Sequence, residues 1–249
     1  MSHIKGQCCD EQEKKLTVKY KIKQLAYPTE NLQDIRRTIN ELLSRNPKWK
    51  KEWVDDATLI RFLAANKNVR EAEKKLVSYF NWRLEQAVDD ITTEDEDVQR
   101  EDALKKAAIL EILDYCGHPI MIMFIRRHDK HHNNYQSAFK FLIEKLETLG
   151  KLADRCLDKK FTLIFDMKDF TMRNMDYQFV KTFLRYLTDY YPDRLYAALI
   201  VNSPGIVEGC WKIIKVWLND TMRSRFIFGG KELISDFLDA EKLPVALFD

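Results

Sequence analysis

The feature that most constrains this chain is an alternation that begins near residue 109. Short apolar runs of strand length take turns with longer segments whose apolar residues recur at helical spacing. Apolar runs at 109–113 and 119–125 flank Tyr115-Cys116-Gly117-His118, a hairpin-like turn. A helix over 135–152 is predicted from Phe139, Leu142, Ile143, Leu146, Leu149 and Leu152. Beyond it come a strand at 161–165, a helix over 176–191, a strand at 195–201, a helix over 206–218, a strand at 225–228 and a last helix over 232–238. Strands separated by helices need crossover connections. The pattern therefore predicts an α/β fold, a mixed and mainly parallel sheet with flanking helices.

The first part of the chain is different. Leu32, Ile35, Ile39, Leu42 and Leu43 share one helix face, and Asn46-Pro47 ends that helix. Asp55 or Asp56 can cap a second helix carrying Leu59, Ile60, Phe62 and Leu63. A third places Ala72, Leu76, Phe80 and Leu84 on one stripe. The division expected is a tail over 1–28, a small all-helical lobe over 29–90 and the sheet-containing unit over 91–249. In the tail, Leu16, Val18, Tyr20 and Ile22 alternate with Thr17, Lys19, Lys21 and Lys23. Period two predicts a strand with an apolar and a basic face, open to self-association or to pairing with a partner chain. Between Asp89 and Asp102, eight acids face one base, Arg100, which reads as a solvated connection.

Composition excludes several classes. With 45% hydrophobic and 32% charged residues the chain can bury a core. No apolar run approaches the roughly 20 residues that span a bilayer. Lys+Arg 41 against Asp+Glu 39 gives a net charge of +2, without the basic excess of a nucleic-acid binder. Five cysteines, Cys8, Cys9, Cys116, Cys156 and Cys210, show no paired spacing. Reduced thiols in the cytoplasm are expected, with Cys8 or Cys9 open to S-acylation. No apolar signal segment is visible at the start.

Catalytic signatures are missing. There is no G-x-G-x-x-G, no G-x-x-x-x-G-K-[ST], no G-x-S-x-G and no H-E-x-x-H. No catalytic residue is assigned, and no enzyme is expected. His128, Asp129, His131 and His132 crowd one loop, but no further ligand group accompanies them, so a hydrated loop is the reading. Asp166 and Asp169 flank Lys168 at a strand's carboxyl end and read as caps. The segment 206–218 stands apart, because Ile206, Val207, Cys210, Trp211, Ile213, Ile214, Val216, Trp217 and Leu218 leave it apolar nearly all round. Such a helix is buried on most sides, in protein or in lipid.

Four motifs in order then carry a resemblance: Tyr190-Tyr191-Pro192-Asp193-Arg194-Leu195, Val201-Asn202-Ser203-Pro204, Trp211-Lys212-Ile213-Ile214-Lys215-Val216-Trp217-Leu218, and Arg225-Phe226-Ile227-Phe228-Gly229. Upstream stands Asp56-Ala57-Thr58-Leu59-Ile60-Arg61-Phe62-Leu63-Ala64-Ala65-Asn66-Lys67, with Trp82-Arg83 beyond. Together they resemble the CRAL-TRIO lipid-binding family over roughly residues 29–243.

The resemblance implies a helical lobe, a sheet flooring an apolar pocket, and a gate helix that moves at a membrane to exchange one lipid. By position it implies headgroup contacts at Lys67, Asp193 and Arg225, with Asn66 replacing a usual base. It also implies a gate over 211–223, although Lys215-Val216 stands where the family has Lys-Pro. Pocket and gate residues expected are Ile122, Phe124, Phe165, Phe179, Phe183, Trp211, Ile214, Trp217 and Leu218. Period two lets only one of the sets Ile120/Ile122/Phe124 and Met121/Met123/Ile125 face inward. The function implied is binding a phospholipid such as phosphatidylinositol and exchanging or presenting it at membranes, with no cofactor besides that lipid. The alternatives are a membrane-recruiting module without exchange, or a carrier of tocopherol, a retinoid or haem. Asp193 and Arg225 have a plainer alternative too, as a structural ion pair.

Overall fold

The computed structural model describes residues 2–23 and 31–243. Its centre is one five-stranded sheet: β1 (Ala107–Leu113), β2 (Pro119–Phe124), β3 (Phe161–Asp166), β4 (Leu195–Val201) and β5 (Phe226–Gly229), in the order β1-β2-β3-β4-β5. β1 and β2 are antiparallel, and the remaining pairs are parallel. Every residue of β2, β3 and β4 is buried. That suits strands covered on both faces, whose sequences run apolar without alternating. The β1–β2 turn is held by Asp114, whose Oδ1 accepts the backbone N–H of Cys116 and of His118. Gly117 supplies the left-handed residue there, at φ +88°.

One sheet face is covered by α6 (Tyr135–Ala153), α7 (Tyr177–Arg185) and α8 (Ile206–Ile214), and the larger core lies between. α7 continues as a π-helical turn over Tyr186–Tyr190, so the helix expected to residue 191 changes geometry at its last turn. The opposite face carries a second core of Ile120, Ile122, Phe124, Ile164, Leu199 and Val201. It is covered by α10 (Glu232–Phe237) through Leu233, Ile234 and Phe237.

The tail also packs on this second face, and here the expected strand is replaced. Residues 16–20 belong to a helix, α1 (Ser2–Tyr20). Leu16 is buried and Val18 is 79% exposed, while the Tyr20 ring packs at a tilt against Phe237 at 5.4 Å. Leu16 and Tyr20 are four residues apart and share one helix face. Ile22, just past the helix, is buried as well. Lys19 pairs with Asp236 at 2.6 Å, and the Tyr20 hydroxyl bonds the same carboxylate. No edge strand exists at 16–23, so the strand-pairing route to self-association falls with it. Side chains of Cys8 and Cys9, and residues 24–30 with Pro28 and Thr29, lie outside what is described.

The helices α2 (Leu32–Arg45), α3 (Asp56–Ala65) and α4 (Val69–Glu85) form around Ile35, Ile39, Leu59, Phe62, Leu76 and Phe80. Asp55 caps α3 by accepting the Thr58 N–H, and Asn68 caps α4 by accepting that of Glu71. Trp82 of α4 stacks on Tyr190 at 4.2 Å and 10°, seating this group on the π turn. Beside it Arg83 is clamped by Glu147 at 3.1 Å and Asp89 at 2.6 Å. The acidic segment is therefore engaged. Asp95 and Asp97 hold Lys140 at 3.0 Å, and Asp102 holds Lys145 at 3.0 Å. Glu101, in the short α5 (Glu96–Ala103), pairs with Lys106 at 2.6 Å.

Candidate functional site

Between the sheet and α6–α8 lies a cavity with almost wholly apolar walls. The sheet contributes Met121, Met123, Phe165, Ile200, Phe226 and Phe228, and the helices contribute Phe141, Phe179, Phe183, Val207, Trp211 and Ile214. The void open to water-sized spheres is about 140 Å³, and the empty space reaching out through its mouth is about 1180 Å³. The first figure is close to the roughly 150 Å³ of an engineered apolar cavity that stays dry and holds benzene. Four methionines, Met121, Met123, Met167 and Met175, line it. Their unbranched thioethers repack at low cost, which suits a wall that must widen.

The structure decides the inward face of β2. Met121, Met123 and Ile125 border the cavity, whereas Ile122 packs in the opposite core. Phe124 also belongs to that opposite core, although it borders the cavity at the strand's end. Phe165, Phe179, Phe183, Trp211 and Ile214 stand on the wall together. Trp217 and Leu218 do not line it. Trp217 packs edge-on against Tyr177 at 6.1 Å, and Leu218 is buried in the core.

α8 covers the cavity. Val207, Trp211 and Ile214 recur at i, i+4 and i+7 and point one stripe inward. Trp211 rests on Phe226 and Phe228 at 5.2 and 5.1 Å. The other side of the same helix and its continuation are apolar yet wet: Ile206, Ile213 and Val216 are 49%, 48% and 69% exposed. The helix tightens to a 3₁₀ turn over Lys215–Trp217 without a proline. Arg223, in α9 (Asp220–Arg223), donates to the carbonyls of Lys215 and Leu218, at 3.1 and 2.9 Å from Nη2. That satisfies acceptors the helix end leaves open.

The three positions expected to meet a headgroup do not form one open site. Arg225 and Asp193 are buried and joined at 2.7 Å, and Arg225 also donates to the Leu195 carbonyl. Asp193 sits at φ +55°, a left-handed backbone that Asp tolerates. Lys67 is exposed. The loop histidines separate as well. His128 turns inward to Asp176 at 3.3 Å, and His132 bonds Asp129 at 2.9 Å. Among the described residues, the metal-type donors that do converge are Asp114, Cys116 and His118, within 4.8 Å. Asp114 Oδ2 accepts from His118 Nδ1 and the Thr162 hydroxyl, and His118 Nε2 bonds Asp158 at 3.0 Å. Burial pulls the His118 imidazolium down, but these two carboxylates outweigh it and raise its pKa to about 9. The group is a closed ion network.

Sequence reasoning missed two polar features. One is a cleft beside α3 and α6, lined by Arg61, Tyr79, Arg83, Tyr190, Tyr191 and Arg194. Arg61 is buried there, and its pKa is pushed down to about 10 by burial and by Arg194. The other is a polar corner of the cavity formed by Glu101, Lys106, His128 and Asp176. No local pattern joins these four, since they come from three separate stretches of chain.

Comparison with known proteins adds the following. The family model described as CRAL/TRIO domain matches residues 104–247. A CRAL-TRIO domain-containing protein of Schizosaccharomyces pombe is 29% identical over 181 residues, covering 70% of this chain and 40% of that protein. Clavesin-1 of Xenopus laevis is 28% identical over 188 residues, 73% of this chain and 56% of its own. A phosphatidylinositol transfer protein of Eremothecium gossypii is 25% identical over 203 residues, 77% and 46%. The chain thus spans about half the length of these curated relatives. The crystal structure of Sfh5 superposes with a TM-score of 0.56 at 18% identity, covering 71% of this chain and 70% of that one. It shares the fold.

Proposed function

Since the chain belongs to the CRAL/TRIO domain family, we propose that it shelters one lipid molecule in the cavity under α8 and exchanges or presents it at a membrane. The observation that carries this reading is the double character of α8. One stripe seals an apolar cavity, and the other holds Ile206, Ile213 and Val216 in water. With about half or more of their surface in water, these side chains each gain roughly half of the ~1.5–3 kcal/mol of full burial on entering a lipid surface. Docking through this face would tug α8 from its seat and open the cavity below. Lys212 and Lys215, on the same helix and its continuing turn, suit anionic headgroups.

Cargo transfer needs no covalent step. Each methylene leaving water contributes about 0.8 kcal/mol, so a long acyl chain is kept in the cavity by area alone. With a void of about 140 Å³ as it stands, the proposed loading of a diacyl lipid has α8 move and the methionine wall repack. The name of the Eremothecium relative supports a phospholipid such as phosphatidylinositol as cargo. An inositol phosphate held by Arg225 would have to displace Asp193 first. The proposed place of action is the cytoplasmic surface of a membrane, visited transiently. No helix among the described residues is long and apolar enough to cross a bilayer.

The test is direct. Purified protein is mixed with donor vesicles carrying labelled lipids and with unlabelled acceptors, and its own extract is analysed by mass spectrometry. Stoichiometric bound lipid and protein-dependent transfer are expected. Absence of both would remove the proposal, and binding to vesicles without either would leave a membrane-recruiting module instead.

A further inference from the structure

The sheet ends on one side in a short strand and on the other in a long one. β5 is the four residues Phe226–Gly229, and its brevity limits what can pair with it. β1 is the seven residues Ala107–Leu113, and its single charge is Glu111. It contains neither proline nor lysine, the residues that commonly blunt a sheet edge. β1 stands first in the sheet order, with β2 as its neighbour on one side.

Register shows which of its groups face outward. At one end of the β1–β2 ladder the Phe124 N–H donates to the Lys106 carbonyl at 2.8 Å. At the other end the Asp114 N–H donates to the His118 carbonyl at 2.9 Å. Even-numbered residues therefore turn their main chain to β2 at both ends, although the ladder shifts register between Ile109 and Leu113. Ala107, Ile109, Glu111 and Leu113 turn theirs away from it. Among the described residues, no loop or turn backbone bonds to these four. Such a row of open N–H and C=O groups is a template for another strand.

Side chains say which strand fits. Leu104 and Leu113, at opposite ends of β1, are 50% and 56% exposed. Lys105 and Glu111 are exposed as well, and among the described residues no salt bridge engages either. Two β1 strands laid antiparallel about a two-fold axis at Ile109 set Ala107 opposite Glu111 of the second copy. The Leu104-Lys105 turn of each copy then meets the Glu111–Leu113 end of the other. Glu111 lies diagonally beside the second copy's Lys105, within reach of a long side chain. An open charge and an open leucine thus find their complements at both ends, as the symmetry of a self-complementary interface requires. An in-register parallel pair would instead set the two Glu111 carboxylates side by side.

We propose that two copies of this chain associate through β1, joining their five-stranded sheets into one by roughly six main-chain hydrogen bonds. The two-fold axis stands perpendicular to the sheet. Both α6–α8 layers therefore lie on the same side of it. The segment is distinct from 16–23, and the inference does not depend on the cargo.

The test is the mass of the full chain in solution, measured by sedimentation from low micromolar to near-millimolar concentration. A rise from 29.6 kDa toward twice that value is expected. Amide hydrogen exchange over 107–113 should slow across the same range, as the outward N–H groups gain partners. Glu111→Lys, at an exposed position, should weaken association about tenfold by opposing like charges at both ends. Adding Lys105→Glu to that variant should restore association, which a defect in folding would not allow. The mass of one chain throughout would overturn the inference and leave β1 open to a strand of another protein. A dimer that Glu111→Lys leaves intact, or that the paired exchange fails to restore, would overturn it by placing the interface elsewhere. Neither result bears on whether the cavity holds a lipid.

Discussion

At the scale of single residues, His118 shows how a buried titrating group ties the fold to pH. Its pKa is raised, from an ordinary 6.5 to about 9, because Asp114 and Asp158 bracket the ring. A raised pKa means that the stabilisation is fully present below the unfolded value near 6.5. It fades as pH climbs through about 9. The contribution is on the order of 3 kcal/mol near neutral pH. Urea denaturation at pH 7 and pH 10 should show the unaltered chain losing this margin relative to His118→Leu, whose own loss is smaller. Parallel loss in both would refute the assignment. The residues of the turn were legible as a turn, and the Asp158 partner was not, because it lies 40 residues away. The pairing of Arg225 with Asp193 is similar. Sequence offered an anion grip or a structural pair, and only their mutual 2.7 Å contact selects the second geometry.

At the scale of elements, α8 and α1 make opposite cases. The nearly all-round apolar character of α8 was plain in the sequence, but the expected burial on most sides is met on one stripe only, and Ile206, Ile213 and Val216 stand in water. Replacing Ile213 and Val216 by Asp should weaken vesicle association at least about tenfold, since the lost apolar burial exceeds 1.4 kcal/mol. Thermal stability should change less than vesicle association, because Val216 is largely solvated and Ile213 half solvated in the free protein. Unchanged vesicle association in a co-sedimentation assay would remove α8 from the docking surface. In α1 the signal misled. Leu16, Val18, Tyr20 and Ile22 satisfy period two, but the subset Leu16 and Tyr20 equally satisfies a helix. A segment of eight residues carries too few apolar positions to separate the two periods. Docking on the second sheet face buried Leu16 and left Val18 in water, and so chose the helix.

At the scale of the whole molecule, Arg83 joins the helical group to the sheet unit. It is buried between Glu147 of α6, Asp89 and the rings of Trp53 and Tyr79. Arg83→Ala should cost about 3–5 kcal/mol, as removal of one member of a buried ion network does. Hydrogen exchange should then accelerate in α4 and in the π turn together, since Trp82 and Tyr190 share the same contact. A local effect confined to α4 would show that the two parts are not coupled there. The motif Trp82-Arg83 and the motif Tyr190-Tyr191 are thus two halves of one joint, more than 100 residues apart in the chain.

Sequence by itself determined the kind and order of elements from β1 onward, the antiparallel first pair, the helical group before them and the apolar nature of α8. These follow from periodicity, turn residues and crossover geometry, which are local properties of a chain. Tertiary structure alone decided that Met121 and Met123 face the cavity and Ile122 does not, that the acids of 89–102 anchor lysines, and that Glu101, Lys106, His128 and Asp176 share a corner. A strand buried on both faces is apolar at every position, so its pattern contains no preference for one side. Which side holds the void depends on how completely distant helices fill each face, and that is a property of the packed molecule.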